Sequence, residues 1–192
     1  MNDDPPSEGQ HPAAIEIHDA TQTLPRAALD WLTTKMREAM AVLKASGEVR
    51  ARIVGDAEMA TLHVRHTGIE GTTDVLTFDL REPPDGDSAD IVRDTYALDT
   101  DIVICADEAA RHAGPGGYPV EHELLLYLVH GVLHCLGHDD HATDQALAMH
   151  AEEDRILRAI GVGAVYARDG GSASTPTRSG GAEGARGGGT SG

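Results

Sequence analysis

His130 and His134 stand four residues apart in the stretch His130-Gly131-Val132-Leu133-His134-Cys135-Leu136-Gly137-His138-Asp139-Asp140-His141. On a helix that spacing puts both rings on one face, where two imidazoles can hold one metal ion. The run before them, Leu124-Leu125-Leu126-Tyr127-Leu128-Val129, predicts that this helix is buried. Two imidazoles on a buried helix are costly unless something satisfies their nitrogens, and a metal ion does so. Gly137 is placed to stop the helix as a left-handed residue just past its end. Asp139, Asp140 and His141 can then swing back toward the ion. Two ligands on a helix and a third after a glycine turn is a pattern of metal-dependent hydrolases. A histidine pair alone is an ordinary surface or core feature. The glycine turn and the third donor group are what favour a metal.

Gly131 stands where the HExxH pattern places its general base. A glycine has no carboxylate to take a proton, so a standard zinc peptidase is disfavoured. Glycine instead leaves room beside the metal or lets another segment pack close. Glu123, two helical turns before His130 on the same face, could orient a ligand, although a solvated or capping glutamate is the commoner case. Cys135 points about 100° away from His134 around the helix and reads as a buried thiol. Cys105, ending an apolar strand, reads the same way. His138 and His150 read as solvent-facing or helix-end residues.

These residues need elements to position them. Ala14-Ile15-Glu16-Ile17-His18 alternates like a half-buried strand. From Pro25 onward, Leu29, Leu32, Met36, Met40 and Leu43 recur at helical spacing, with Gly47 as the stop. Strands are predicted at 49–54, 73–78 and 101–105, with an acidic loop at 83–90. Asp56 is expected to cap a short helix through Leu62 and Val64, and 106–113 forms another. The metal helix covers 119–136, and Thr143 caps a last helix that Gly161 ends. The Thr73-Asp74 pair reads as a turn that caps itself. The fold class is α+β: a small mixed sheet of about four or five strands packed with helices, one of them a zincin-like metal helix. A doubly wound sheet ranks lower, because the connections are irregular.

Residues 1–12 and 166–192 read as disordered; the latter segment is rich in Gly and Ser and has no apolar periodicity. Between them, 13–165 is read as one hydrolase domain, roughly 155 residues and enough for one core. The chain of 192 residues has 15 Lys and Arg against 32 Asp and Glu, a net charge of −17. The tail is close to neutral, so the acidity belongs to the folded part. That balance argues against a broad basic face for nucleic acid. No apolar run is long enough for a membrane span, and the acidic start is not a secretory signal. Two cysteines make no disulfide framework. A cytoplasmic location follows as the expectation. Six aromatic residues in all make a poor stacking platform for single-stranded RNA.

The stretch H-G-V-L-H-C-L-G-H-D-D-H resembles the motif H-G-x-L-H-L-x-G-x-D-H of the YbeY-type metal-dependent endoribonucleases, the rRNA maturation factors. Leu62-His63 through Thr72-Thr73-Asp74-Val75-Leu76-Thr77-Phe78 resembles that family's L-N-x-x-Y-R…P-T-D-V-L-S-F block, and 98–105 resembles its L-G-D-I-x-I-C strand. Order and spacing agree over residues 14–160. The resemblance implies a single-strand-specific endoribonuclease in ribosomal RNA maturation, at the small-subunit 3′ end, and in ribosome quality control. It implies one zinc ion held by His130, His134 and a third ligand. Counted without a gap the third ligand is Asp140; with one inserted residue it is His141. The ungapped count favours Asp140. The family's phosphate-meeting arginine falls on Thr67, which cannot do that work, and Arg65 stands two residues away. Arg65, His63 and His66 are thus phosphate contacts or plain surface residues. The implied partners are ribosomal RNA and small-subunit proteins, with no membrane and weak direct affinity for nucleic acid. Two other functions stay open: a zinc hydrolase of peptide or amide bonds, and a non-catalytic assembly factor whose structural metal is closed by Asp140 and His141 together.

Overall fold

Val, Ile and Thr alternating with charged residues suit a pleated surface with one covered face, and four segments of this kind form the sheet. The computed structural model describes residues 13–81 and 97–164. The segments 1–12 and 166–192 and the acidic loop at 83–90 lie outside the described residues. In chain order the elements are β1 (Ala14–Asp19), α1 (Arg26–Leu43), β2 (Ser46–Val54), α2 (Asp56–Thr67) and β3 (Val75–Asp79). Then come β4 (Ala97–Cys105), α3 (Ala106–Gly116), α4 (Val120–Cys135) and α5 (Thr143–Ala159). The strand order is β1-β2-β4-β3. β1, β2 and β4 run parallel, and β3 lies antiparallel at the edge, with Val75 opposite Ile104 and Asp79 opposite Thr100. The fold is α+β with a mixed sheet of four strands, as the patterning implied.

Successive strand residues face opposite ways, so each face of the sheet buries its own set. On one face Val49, Ile53, Ile102 and Ile104 meet Leu32, Met36 and Met40 of α1 and the apolar run of α4. α5 closes over this layer through Met149, Ile156 and Leu157. On the other face Val54, Leu76 and Cys105 meet Met59 of α2, with Leu62, Phe78 and Val103 beside them. α4 is buried on all sides from Glu123 to Leu133, which is why its sequence is apolar all round rather than striped. Among the described residues no helix is long and apolar enough to cross a membrane.

Several boundaries differ from the sequence reading. Lys44, not Gly47, ends α1: it takes the left-handed conformation, and its N–H bonds back to Ala41 and Met40. Gly47 lies inside β2 with φ +91°, and a Cβ there would sit 2.0 Å from the Leu98 carbonyl oxygen. Its smallness admits the neighbouring strand. β2 and β4 are longer than their apolar runs because each extends over residues paired with the other. Asp56 does not cap α2; Gly55 does. The Asp56 carboxylate instead accepts hydrogen bonds from Arg111 at 2.7 and 2.8 Å. Thr143 likewise begins α5 behind the cap Ala142.

Candidate metal centre

The end of α4 sets the geometry. Gly137 has φ +94°, its N–H bonds to the His134 carbonyl at 3.0 Å, and the His138 N–H bonds to the Leu133 carbonyl at 3.0 Å. This pair of bonds closes a helix on a left-handed residue. The turn brings the His138 carbonyl back to 3.1 Å from Nδ1 of His134. A carbonyl only accepts, so Nδ1 carries the proton and Nε2 of the neutral ring is bare. Burial, and then the adjacent His130, lower the pKa of His134 below the usual imidazole value, against the pull of Asp140. The ring is therefore neutral near pH 7 and has a lone pair to give.

His130 is 3% exposed, and its Nδ1 lies 2.7 Å from Oε1 of Glu153, which is 0% exposed. The two Nε2 atoms face each other 3.0 Å apart. Asp140, on the turn after Gly137, places Oδ2 3.7 Å from Nε2 of His130 and Oδ1 3.8 Å from Nε2 of His134. Among the described residues Asp140 Oδ1 is buried with no hydrogen-bond partner. Two ring nitrogens and an orphaned carboxylate oxygen thus converge on one small space, where a cation would engage all three. Tetrahedral zinc with bonds of 2.0–2.1 Å holds its ligand atoms about 3.3 Å apart, and the observed separations bracket that value. The donor set fits a small divalent cation.

The structure thus brings His130, His134 and Asp140 together, their ligand atoms all within 4.8 Å of one another. His141 is 56% exposed, with Nδ1 bonded to Asp139. Arg65 is exposed on α2, on the opposite face of the sheet from α4, and no hydrogen bond or ion pair ties it to the triad among the described residues. His66 is also exposed and sets its ring edge-on to Phe78 at 4.8 Å. His63 corrects the expectation of a phosphate contact: it is 3% exposed, and Nδ1 bonds the Gly71 carbonyl at 3.0 Å, pinning the loop after α2. Glu123 is not solvated; it is 1% exposed and accepts the Tyr118 hydroxyl at 2.6 Å. Cys105 and Cys135 are buried thiols, as read. A second clustering, Asp56, Cys105 and Asp107, is occupied by its own bonds and by Arg111.

Two residues escaped the sequence reading. Glu153 reaches His130 from α5, across 23 residues of chain, and looks in the sequence like one acid among Glu152, Glu153 and Asp154. Arg81, just past β3, is gripped by Asp79 and donates to the Cys135 carbonyl at the end of the metal helix. Gly131 also gains an explanation: a Cβ there would lie 2.7 Å from Thr77 Oγ1. The place of the peptidase base is filled by strand β3.

The model of the Endoribonuclease YbeY family matches residues 11–161. Among curated relatives, the Endoribonuclease YbeY of Mycobacterium ulcerans (strain Agy99) is 38% identical over 110 residues, 57% of this chain and 62% of that protein. That of Mycolicibacterium paratuberculosis is 38% identical over 112 residues, 58% and 63% of the two chains. That of Mycobacterium tuberculosis (strain ATCC 25618 / H37Rv) is 37% identical over 110 residues, 57% and 62%. The chain therefore spans under two thirds of the length of these relatives. Among solved structures, TM1509 from Thermotoga maritima superposes with a TM-score of 0.53 at 24% identity, over 76% of this chain and 88% of that one, and so shares the fold. The family match begins before β1 and ends after α5, taking in the whole sheet and the metal helix; the chain belongs to the YbeY family of endoribonucleases.

Proposed function

We propose that the chain is a metal-dependent endoribonuclease that cuts single-stranded RNA during ribosomal RNA maturation, at the 3′ end of the small-subunit RNA, and that it serves ribosome quality control in the cytoplasm. Residues 13–165 form the catalytic unit. His130, His134 and Asp140 hold one zinc ion, and ribosomal RNA and small-subunit proteins are the partners. The observation that carries this reading is the convergence of the two Nε2 atoms with an Asp140 oxygen that is buried without a hydrogen-bond partner among the described residues. Membership of a family described by its endoribonuclease activity supports the class of bond.

When bound, the ion supplies Lewis-acid activation of water or of a phosphate oxygen. The chain's own residues do the rest. The His138 carbonyl and Glu153 hold the two rings with Nε2 inward. His141, 3.7 Å from Asp140 Oδ1, is exposed and bonded to Asp139, so the site is read as His130, His134 and Asp140, three protein donors. Three protein ligands and an open position are the mark of a catalytic rather than a structural site. Gly131, closed off by Thr77, offers no carboxylate, which counts against peptide hydrolysis. Arg65 acts as a phosphate contact: α2 and α4 flank the two faces of edge strand β3, so an RNA chain crossing that edge meets both.

The test compares the zinc-loaded protein with His134→Ala on structured ribosomal RNA fragments. Metal-dependent cutting that vanishes in the variant is the expected result. Equal residual cutting by both would mean a contaminating nuclease and would sink the proposal.

A further inference from the structure

Glu153 is a carboxylate with 0% exposure, set on α5 among the buried Met149, Ile156 and Leu157. Its Oε1 lies 2.7 Å from Nδ1 of His130, and among the described residues its Oε2 is buried without a hydrogen-bond partner. A buried carboxylate with one oxygen unmatched is costly unless nearby positive charge compensates it. The hydrogen bond to His130 satisfies only one of the two oxygens.

A cation held on the other side of the ring would supply that charge. The Glu153 contact at Nδ1 and the turn of His130 toward His134 and Asp140 leave Nε2 as the atom that faces the candidate centre. We infer that Glu153 is a positioning residue of the metal centre, which fixes His130 with Nε2 toward the cation from a helix that donates no ligand. A carboxylate behind a ligand histidine also raises the basicity of the ring, and losing such a partner typically weakens metal affinity by 10–100-fold. This inference rests on the metal reading above and adds a residue to it.

The test measures zinc affinity of the full chain by competition with a chromophoric chelator, for wild type, Glu153→Gln and Glu152→Gln. Glu152 is the next residue on the same helix and pairs with Arg155 instead. The expected result is Kd weakened by about 10–100-fold in E153Q and within about twofold of wild type in E152Q. Equal Kd values for wild type and E153Q would overturn this inference while leaving the metal reading intact; no binding by the wild type would overturn both. If E153Q fails to fold, nitrogen NMR of His130 in the zinc-loaded wild type decides. A proton on Nδ1 with Nε2 shifted by the metal supports the role, and an unprotonated Nδ1 refutes it.

Discussion

Gly131→Ala sets two effects of known size against each other. In the interior of a helix, alanine is favoured over glycine by about 1 kcal/mol. Against that, the new Cβ would lie 2.7 Å from Thr77 Oγ1 and 3.1 and 3.3 Å from Cδ1 and Cγ2 of Ile102. Ile102 is 1% exposed and has nowhere to retreat. Thr77 is β-branched and stiff at χ1, so it cannot simply swing clear. The remaining adjustment is to push α4 off β3, and overpacking of this kind costs about 1–3 kcal/mol. The clash wins, and the net effect is a loss of about 1 kcal/mol, read in urea unfolding of the metal-free protein.

Thr77→Ala should reverse the sign. With the hydroxyl and methyl gone, only the milder contacts to Ile102 remain, and alanine at 131 should stabilise the T77A background by a few tenths of a kcal/mol. The two sites then couple by about 1 kcal/mol or more, as contacting residues do. Because His130 precedes Gly131, the same push disturbs a ring nitrogen 3.0 Å from its partner, so zinc affinity should fall in G131A and recover in the double variant. A G131A protein as stable as wild type, with no coupling to Thr77, would show that β3 does not close this position.

Asp140→Asn should weaken zinc binding by more than about a hundredfold, beyond the usual loss for an indirect partner, whereas His141→Ala should leave it nearly unchanged; the reverse order would move the third ligand to His141. Arg65→Ala should leave zinc affinity alone and reduce the salt slope of RNA binding by about one; an unchanged slope removes Arg65 from the RNA path. At Asp19 burial alone would raise the pKa, but bonds from Thr21 and Leu24 outweigh it and hold the carboxyl below 3.8. The stability it adds is therefore present above pH 3.8 and lost as pH falls through the lowered value. Asp19→Asn should cost about 1–2 kcal/mol near neutral pH and converge with wild type in strong acid; a difference independent of pH would refute the ionic contribution.

The elements were legible where one period ran unbroken. Leu32, Met36 and Met40 announce α1, and Ile15 and Ile17 announce β1, because each apolar set must face one side. The ends were not legible. Gly47 looks like a helix stop because glycine commonly is one, yet its reason for being glycine is the Leu98 carbonyl of another strand, a contact far away in sequence. Asp56 has the side chain of a cap, but Arg111, 55 residues on, competes for it with charge and wins. In both cases a tertiary partner overrode a local preference that the sequence states correctly.

The site divides in the same way. Within α4 the helical period ties His130 to His134, and no tertiary knowledge is needed. Beyond Gly137 the period ends, and a residue's direction depends on how the turn closes. Asp140 and His141 are adjacent and equally able as ligands, with His141 Nδ1 3.7 Å from Asp140 Oδ1, yet they differ in burial. Asp140 is 10% exposed under the two rings, while His141 is 56% exposed and bonded to Asp139. Asp139 does the sorting. Its carboxylate accepts the backbone N–H groups of Asp140, at 2.8 Å, and of His141, at 3.2 Å, as well as the His141 ring. Those bonds hold the turn with Asp140 inward. A short acidic side chain that bonds the next two N–H groups is a local signal, recognisable in principle as the habit of Asp in turns. Glu153 carries no such signal, since only the docking of α5 brings it to His130. The part of the centre written in local chemistry can be read from the chain, and the part made by one helix lying on another cannot.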